Sequence, residues 1–270
     1  MPKHAVREPD LVMLDAAGCS VRGQNFLVEW IDATPNAPIE IAGTDETMLI
    51  LLDAAGTIVG QGQSVSAPQR SLTVLPAGSF QLRVERAGRA CILSTDRPAT
   101  AAANAGSYAV PNPSVAPVGG AWPRTGNALQ IQVFEIDKVK APADNPRLKM
   151  FQSATMSINW VDYQGPRDRT ALSPHSHTDF EQASLAAAGD FIHHMRVDWG
   201  KNANEWRDDQ HMHAGSPSVL VIPPDVIHTT EGVGPGHHLL IDIFAPPRRD
   251  FIAKGWVTNS AEYRDPMKQQ

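Results

Sequence analysis

The stretch LSPHSHTDFEQASLAAAG, residues 172–189, places two histidines and a glutamate at the odd positions 175, 177 and 181. Side chains of a β-strand alternate between its two faces, so His175, His177 and Glu181 can project to one side of such a strand. Gln182 has the opposite parity and points away if the strand is regular. Two imidazoles and one carboxylate on one face are a ready set of ligands for a divalent cation.

A fourth candidate ligand, His228, ends the stretch VIPPDVIH, residues 221–228. Its Pro-Pro-Asp sequence predicts a bend that ends one strand and turns the chain back, bringing His228 beside the first three residues across a barrel. Three histidines and one carboxylate leave roughly two positions open in an octahedral shell, where substrate, water or dioxygen can bind. Nine of the 10 histidines lie between His175 and His238, so the second half is where chemistry is expected.

The two stretches resemble the motifs of the cupin family. The first family motif is HxH, three or four residues, Glu, about six residues and Gly, and the matching residues are His175, His177, Glu181 and Gly189, with one extra residue before the glycine. The second motif, Pro-x-Gly-x-x-His, stands here as residues 223–228, with Asp225 in place of the usual glycine. HxH alone is a weak signal, whereas the two motifs together are fairly specific.

The first half resembles a cupin barrel that has lost its metal site. The fragment LTVLPAGSFQ, residues 72–81, matches the second motif at Pro76 and Gly78 but has Gln81 where the histidine would stand. The region where an HxH would precede it has only Asp45 and Glu46. The resemblance therefore implies an all-β bicupin of two double-stranded β-helix, or jelly-roll, domains, with a degenerate N-terminal barrel.

The pattern of apolar residues agrees with an all-β chain of about two domains. Short alternating or β-branched runs, separated by Gly, Pro, Asp and Asn, predict strands in both halves. From residue 96 to 125 Pro, Ala and Gly dominate, which predicts either a connection between domains or an extended arm on a neighbouring sheet. The expected domains are residues 1–95, a connection over 96–127, and a metal-binding barrel over 128–270.

Composition narrows the range of partners. The net charge is −6, so the chain lacks the excess of lysine and arginine that nucleic acids and anionic membranes require. The N-terminal residues do not form a secretory signal, no run reaches about 18 apolar residues, and the two cysteines cannot form a disulfide framework. We expect a cytoplasmic protein with a small-molecule substrate, no nucleic-acid or membrane partner, and a homodimer as a plausible assembly.

Other polar residues of the second half are further candidates for a functional role. His193 and His194 are adjacent, so one faces the barrel interior, and with Arg196 they are the candidate catalytic residues. His211 and His213 share a face and form a rival metal pair, or else the rim of a pocket. The polar segment 200–210 suggests either a lid over the barrel mouth or a contact with a second subunit.

Three functions are compatible with this pattern. The favoured one is a metal-dependent enzyme acting on a small polar organic substrate by dioxygenase-type chemistry, with iron preferred over manganese, nickel or zinc. The resemblance to the cupin family implies the slight preference for oxygen chemistry, which no residue of this chain indicates. The second is a metal-dependent isomerase, epimerase or lyase, in which the cation acts as a Lewis acid and a neighbouring base moves a proton. The third is a non-catalytic cupin that binds a small, sugar-like molecule.

Overall fold

The computed structural model describes residues 6–14, 18–95, 102–108 and 110–269. Its regular structure is almost entirely β-strand, which confirms the expected all-β class. The strands are short because turn residues interrupt the alternating apolar runs every few positions.

The strands that precede the Pro/Ala/Gly-rich segment are β1 (Asp10–Met13), β2 (Ser20–Arg22), β3 (Leu27–Ala33), β4 (Ile39–Gly43), β5 (Thr47–Leu51), β6 (Ala55–Gly60), β7 (Gln63–Ala67), β8 (Ser71–Leu75), β9 (Gly78–Arg86) and β10 (Gly88–Ser94). Those that follow are β11 (Gln132–Glu135), β12 (Leu148–Gln152), β13 (Ser157–Gln164), β14 (Gln182–Ala188), β15 (Asp190–Val197), β16 (Gln210–Ala214), β17 (Ser218–Ile222), β18 (Val226–Val233) and β19 (His237–Phe244).

Helical structure is confined to short pieces. An α-helix, α1, spans Arg249–Ala253, and single 3-10 turns lie at Ala105–Tyr108, Ile136–Lys138, Ala203–Glu205, Ser260–Glu262 and Pro266–Gln269. Among the residues that the structure describes, no helix is long and apolar enough to cross a membrane.

The strands form four sheets. The first large sheet has the order β11-β8-β5-β10-β3-β2, and the first small sheet has the order β4-β9-β6-β7. The second large sheet has the order β1-β17-β14-β19-β13-β12, and the second small sheet has the order β16-β15-β18. Each large sheet packs against the small sheet of the same half, so each half is a two-sheet jelly roll.

Two strands cross the expected division between the halves. β1, from the N-terminal stretch, pairs antiparallel with β17 and so extends the second large sheet. β11, from the stretch assigned to the C-terminal barrel, pairs antiparallel with β8 and extends the first large sheet. Alternation predicts that these residues are strands, but it carries no information about which sheet they join.

The two large sheets pack face to face through a shared apolar core. Because strand residues alternate, one face of each large sheet points to this core and the other face points to the interior of its own half. The first large sheet contributes Val28, Trp30, Met48, Ile50, Leu72, Val74, Cys91 and Leu93. The second contributes Ile158, Trp160, Ala183, Leu185, Val219, Val221, Ile241 and Ile243. Burial of each large aliphatic side chain stabilises the fold by about 1.5–3 kcal/mol.

The described parts of the Pro/Ala/Gly-rich segment pack against neighbouring parts of the chain. Val115 and Trp122 are buried. The amide of Ala103 donates to the carbonyl of Ser20, and the amide of Ala116 donates to the carbonyl of Asp179. The residues 96–101 and 109 of this segment lie outside the described part of the chain.

The carboxylate of Glu46 ties the two halves together from a buried position. It accepts hydrogen bonds from Arg124, from the amide of Ala154 at 2.8 Å and from the hydroxyl of Tyr263 at 2.8 Å.

We expect Glu46→Gln to lower the free energy of unfolding by about 3 kcal/mol, because it leaves the buried Arg124 guanidinium without its counter-charge. Denaturant titration measures this loss. Glu40→Gln, an exposed glutamate of the same half, is the matched control, and an equal effect of both substitutions would contradict the assignment.

Candidate metal centre

The backbone brings the two histidine-bearing stretches side by side. His175 and His228 form an antiparallel bridge, with the amide of His175 donating to the carbonyl of His228 at 3.0 Å and the reverse bond at 2.8 Å. The amide of Asp225 donates to the carbonyl of His177 at 2.7 Å. The bend before His228 therefore places that residue beside the HxH stretch.

Asp225 is the residue at which this bend turns. Its φ of 64° lies in the left-handed region, which explains why a glycine is usual at this point of the motif. Aspartate adopts this conformation more readily than most residues with a side chain. The departure from the motif therefore leaves the turn intact.

The imidazoles of His175, His177 and His228 converge. One ring nitrogen from each lies within 4.8 Å of the others, and the ring centroids are 4.5–5.2 Å apart. The Nδ1 of His175 donates to the carbonyl of Ser173 at 2.9 Å, and that of His228 donates to the carbonyl of Val226 at 2.9 Å. Carbonyl oxygens accept but never donate, so these two rings carry their proton on Nδ1 and leave Nε2 free as a ligand.

Burial keeps two of these rings neutral. Desolvation lowers the pKa of His177 to about 3 and that of His228 to about 4, with further lowering from neighbouring positive charge. Phe180 stacks on His177 with ring centroids 4.4 Å apart, and Phe244 meets it edge-on at 5.9 Å. Neutral imidazole is the form that binds metal ions.

The structure does not bring Glu181 to the three histidines. Its Oε2 accepts a hydrogen bond from the amide of Gln24 at 2.5 Å, and Arg7 approaches its Oε1 at 3.8 Å. Burial raises the pKa of this carboxyl. Side chains do not alternate regularly here, because β14 begins only at Gln182 and the residues between the histidines and that strand are irregular.

Gln182 takes the place that parity assigned to Glu181. Its Oε1 lies 3.0 Å from Nε2 of His177 and 3.3 Å from Nε2 of His228. Its amide nitrogen donates to Ser184 Oγ at 2.9 Å and to Asp242 Oδ1 at 3.0 Å, which fixes the amide so that its oxygen faces the histidines. Six residues separate Gln182 from Gly189, which is the spacing that the motif gives its glutamate, so the extra residue after Glu181 was the signal that could have found Gln182.

The histidines open into a cavity of about 520 Å³ inside the second barrel. Asn159, Gln182 and Asp242 line its polar wall, and Val161 and Leu240 line an apolar part. Arginines and a lysine from loops also reach it, and no pattern in the sequence points to them. This volume is typical of sites for small organic ligands.

The candidate catalytic residues lie apart from this cavity. His193 is buried, with Nδ1 3.0 Å from Thr230 Oγ1 and Nε2 without a hydrogen-bond partner in the described chain. His194 and Arg196 are on the outer face of the second small sheet, where Arg196 pairs with Asp209. None of the three lines the cavity.

The rival pair and the polar loop also lie outside. His211 contacts His194 on the outer face at 2.7 Å between Nδ1 atoms, and His213 is exposed. The group of three potential metal ligands found among the described residues is His175, His177 and His228, and it includes none of these outer histidines. The loop 200–210, in which Trp206 stacks on Trp199, contributes no lining residue to the cavity.

The interior of the first barrel is apolar. Side chains including Leu49, Leu51, Ile58, Phe80 and Leu82 fill the space between its two sheets. Gln81, at the position of the missing histidine, faces the other side of its strand and donates to Glu40. This barrel therefore offers no polar cluster comparable with that of the second half among the residues described.

Comparison with known proteins identifies the fold. No family model and no curated protein matches the sequence. Among solved structures, AerE from Microcystis aeruginosa superposes with a TM-score of 0.56 at 10% identity, over 89% of this chain and 98% of that chain. A mutant of Bacillus subtilis oxalate decarboxylase superposes with a TM-score of 0.53 at 14% identity, over 82% of this chain and 69% of that chain. Vicilin from Corylus avellana (hazelnut) superposes with a TM-score of 0.52 at 11% identity, over 82% of this chain and 75% of that chain. The chain therefore has the cupin fold.

The protonation of the rings can be checked directly. We expect His175 and His228 to show the Nδ1–H tautomer in nitrogen NMR spectra of the metal-free protein, because each donates from Nδ1 to a carbonyl. The ring signals of His177 and His228 should not shift between pH 5 and 8, since their pKa values lie near 3 and 4. An Nε2–H tautomer at His228, or a titration of either ring near pH 6.5, would contradict this geometry.

Proposed function

We propose that this protein is a divalent-metal-dependent cupin enzyme that acts on a small polar organic substrate, with dioxygenase-type chemistry. The observation that carries the proposal is the convergence of three imidazoles and one amide oxygen at a cavity of about 520 Å³. A closed structural site would need no such cavity beside it.

The donor atoms fit a cation. Nε2 of His228 carries a lone pair, because its Nδ1 donates to Val226, and the amide oxygen of Gln182 also carries lone pairs. Two acceptors 3.3 Å apart repel each other unless a proton or a cation lies between them. The low pKa of His228 disfavours the proton. We propose His175, His177, His228 and Gln182 as the residues that hold the ion.

This set of ligands carries no charge. Three neutral imidazoles and an amide leave the full charge of a divalent cation to be balanced by other groups. A bound ion would supply a Lewis-acidic or redox-active centre for a chelating substrate. An anionic chelator, such as an enolate or carboxylate, binds best there because it neutralises the cation. Nitrogen and oxygen donors suit iron, which we favour, as well as manganese, nickel, cobalt and zinc. One of the solved structures with a similar fold comes from work on the Mn(II) centres of Bacillus subtilis oxalate decarboxylase.

Residues around the histidines shape the site. Phe180 and Phe244 cover His177 and exclude water from one side of it. Arg248 lines the cavity with its guanidinium 3.9 Å from the ring centroid of Phe251, held by Asp250 at 2.6 and 2.8 Å. Its positive charge stabilises an anionic substrate near the histidines.

A metal-dependent isomerase or lyase is the second candidate. The observation that favours it is Asp242, whose carboxylate lines the cavity beside Gln182 and offers a group to which a substrate proton can move. We further propose that the first barrel is a degenerate cupin domain, which its apolar interior supports.

Metal content tests the centre itself. We expect the wild-type protein, loaded with Fe(II), Mn(II) or Co(II) and desalted, to hold about one ion per chain. His177→Ala should weaken binding by about a hundredfold, because one of the few ligands is lost. His211→Ala removes a histidine from the outer face and serves as the control. Loss of metal from His211→Ala, with retention in His177→Ala, would move the site to the outer face.

Oxygen consumption separates the two reaction classes. We expect the iron-loaded protein to take up oxygen when a chelating organic acid or enol from a substrate panel is added. The protein loaded with any other metal should turn the same substrate over no faster than the iron-loaded protein does. An oxygen electrode records the uptake. Turnover of a substrate without oxygen uptake, supported equally by zinc or nickel, would contradict the dioxygenase assignment and favour the isomerase or lyase.

A further inference from the structure

The cavity carries an excess of positive side chains. Its positively charged lining residues are Arg147, Arg167, Arg248 and Lys254, and its negatively charged ones are Asp242 and Asp250. Asp250 is engaged by Arg248, and Asp242 accepts hydrogen bonds from Gln182 and Ser184. Among the residues that the structure describes, the guanidinium groups of Arg147 and Arg167 have no carboxylate partner.

Arg147 and Arg167 line the same cavity. Partial burial, and then the positive charge of Arg147, lowers the pKa of Arg167. Burial raises the pKa of Tyr163, and the charges of Arg167 and Arg147 oppose that rise. Arg167 donates to the carbonyl of Ala171 at 3.3 Å. Within the described chain neither arginine forms an ion pair. Two like charges at a cavity wall repel each other until an anion lies between them.

The backbone of Arg167 is separated from that of His228 along the barrel. The amide of Arg167 donates to the carbonyl of Gly232, four residues beyond His228 on β18. At the rise of a β-strand, the backbone positions of His228 and Gly232 are about 13 Å apart. Val161 and Leu240 line the wall of the cavity, giving it an apolar part as well as its polar ends.

We propose that the ligand of this cavity carries an anionic oxygen group, a carboxylate or a phosphate, that Arg147 and Arg167 bind at the end remote from the histidines. The rest of the ligand passes the apolar wall and reaches the proposed metal centre. This inference rests on the proposed function only for what happens at the histidine end of the cavity. Guanidinium groups form paired, charge-assisted hydrogen bonds with both kinds of anion, so the arginine end binds its anion with or without a metal.

The test is titration calorimetry on the full chain with three probes: glutarate, inorganic phosphate and neutral acetylacetone. Each is titrated into wild type, the variant Arg147→Gln/Arg167→Gln and the control Arg83→Gln/Arg86→Gln, which removes two exposed arginines of β9. Every protein is tested metal-free and loaded with Mn(II). Arg147→Gln alone, at an exposed position, is included in case the double variant does not fold.

We expect at least one of the two anions to bind wild type and control equally, and to bind the Arg147/Arg167 variant at least about tenfold more weakly. The anion that binds more tightly identifies the group as carboxylate or phosphate. Acetylacetone should bind the Mn(II)-loaded proteins alike. Equal anion affinity in wild type and the Arg147/Arg167 variant, or no anion binding to wild type, overturns the inference. Failure of wild type to take up Mn(II) would contradict the proposed function instead. Anion binding to the metal-free protein would still test whether Arg147 and Arg167 bind the anion.

Discussion

Packing of the two large sheets against each other is the constraint on which the rest of this structure depends. The shared core buries one complete face of each large sheet with apolar side chains. That burial stabilises the second large sheet chiefly through the face that points to the shared core. The inner face can therefore carry the hydrogen-bonded polar side chains of Asn159, Gln182, Ser184 and Asp242. In the first half the inner face is apolar as well, and the interior is filled.

The polar inner face acts on the histidines through one amide. Asp242 and Ser184 hold the nitrogen of Gln182, so its oxygen faces Nε2 of His177 and His228. Backbone carbonyls hold the other sides of two of the rings. Each donor atom is thus oriented before any ion binds, which reduces the reorganisation that binding requires. The histidine cluster depends on strand register, because a shift of one residue in β14 would turn Gln182 out of the barrel.

Much of this could be predicted from local sequence. Alternating apolar runs predict the strands that end up as β3, β5 and β19, and the two motifs bring His175, His177 and His228 together as expected. The fourth side chain could not be predicted by parity, since parity holds only within a regular strand and β14 begins at Gln182. Exchange of β1 and β11 between the halves depends on contacts between distant strands, which no local pattern encodes. Arg147 and Arg167 come from loops, where neither period nor motif indicates direction.

Anomalous diffraction from crystals of the Mn(II)-loaded protein, recorded on both sides of the manganese absorption edge, tests the central claim most directly. The account predicts one strong peak in the second barrel, within coordination distance of Nε2 of His175 and His228, a ring nitrogen of His177 and the amide oxygen of Gln182. A peak at the outer face beside His194 and His211, a peak on the carboxylate of Glu181, or no peak in a protein that retains its fold would contradict it.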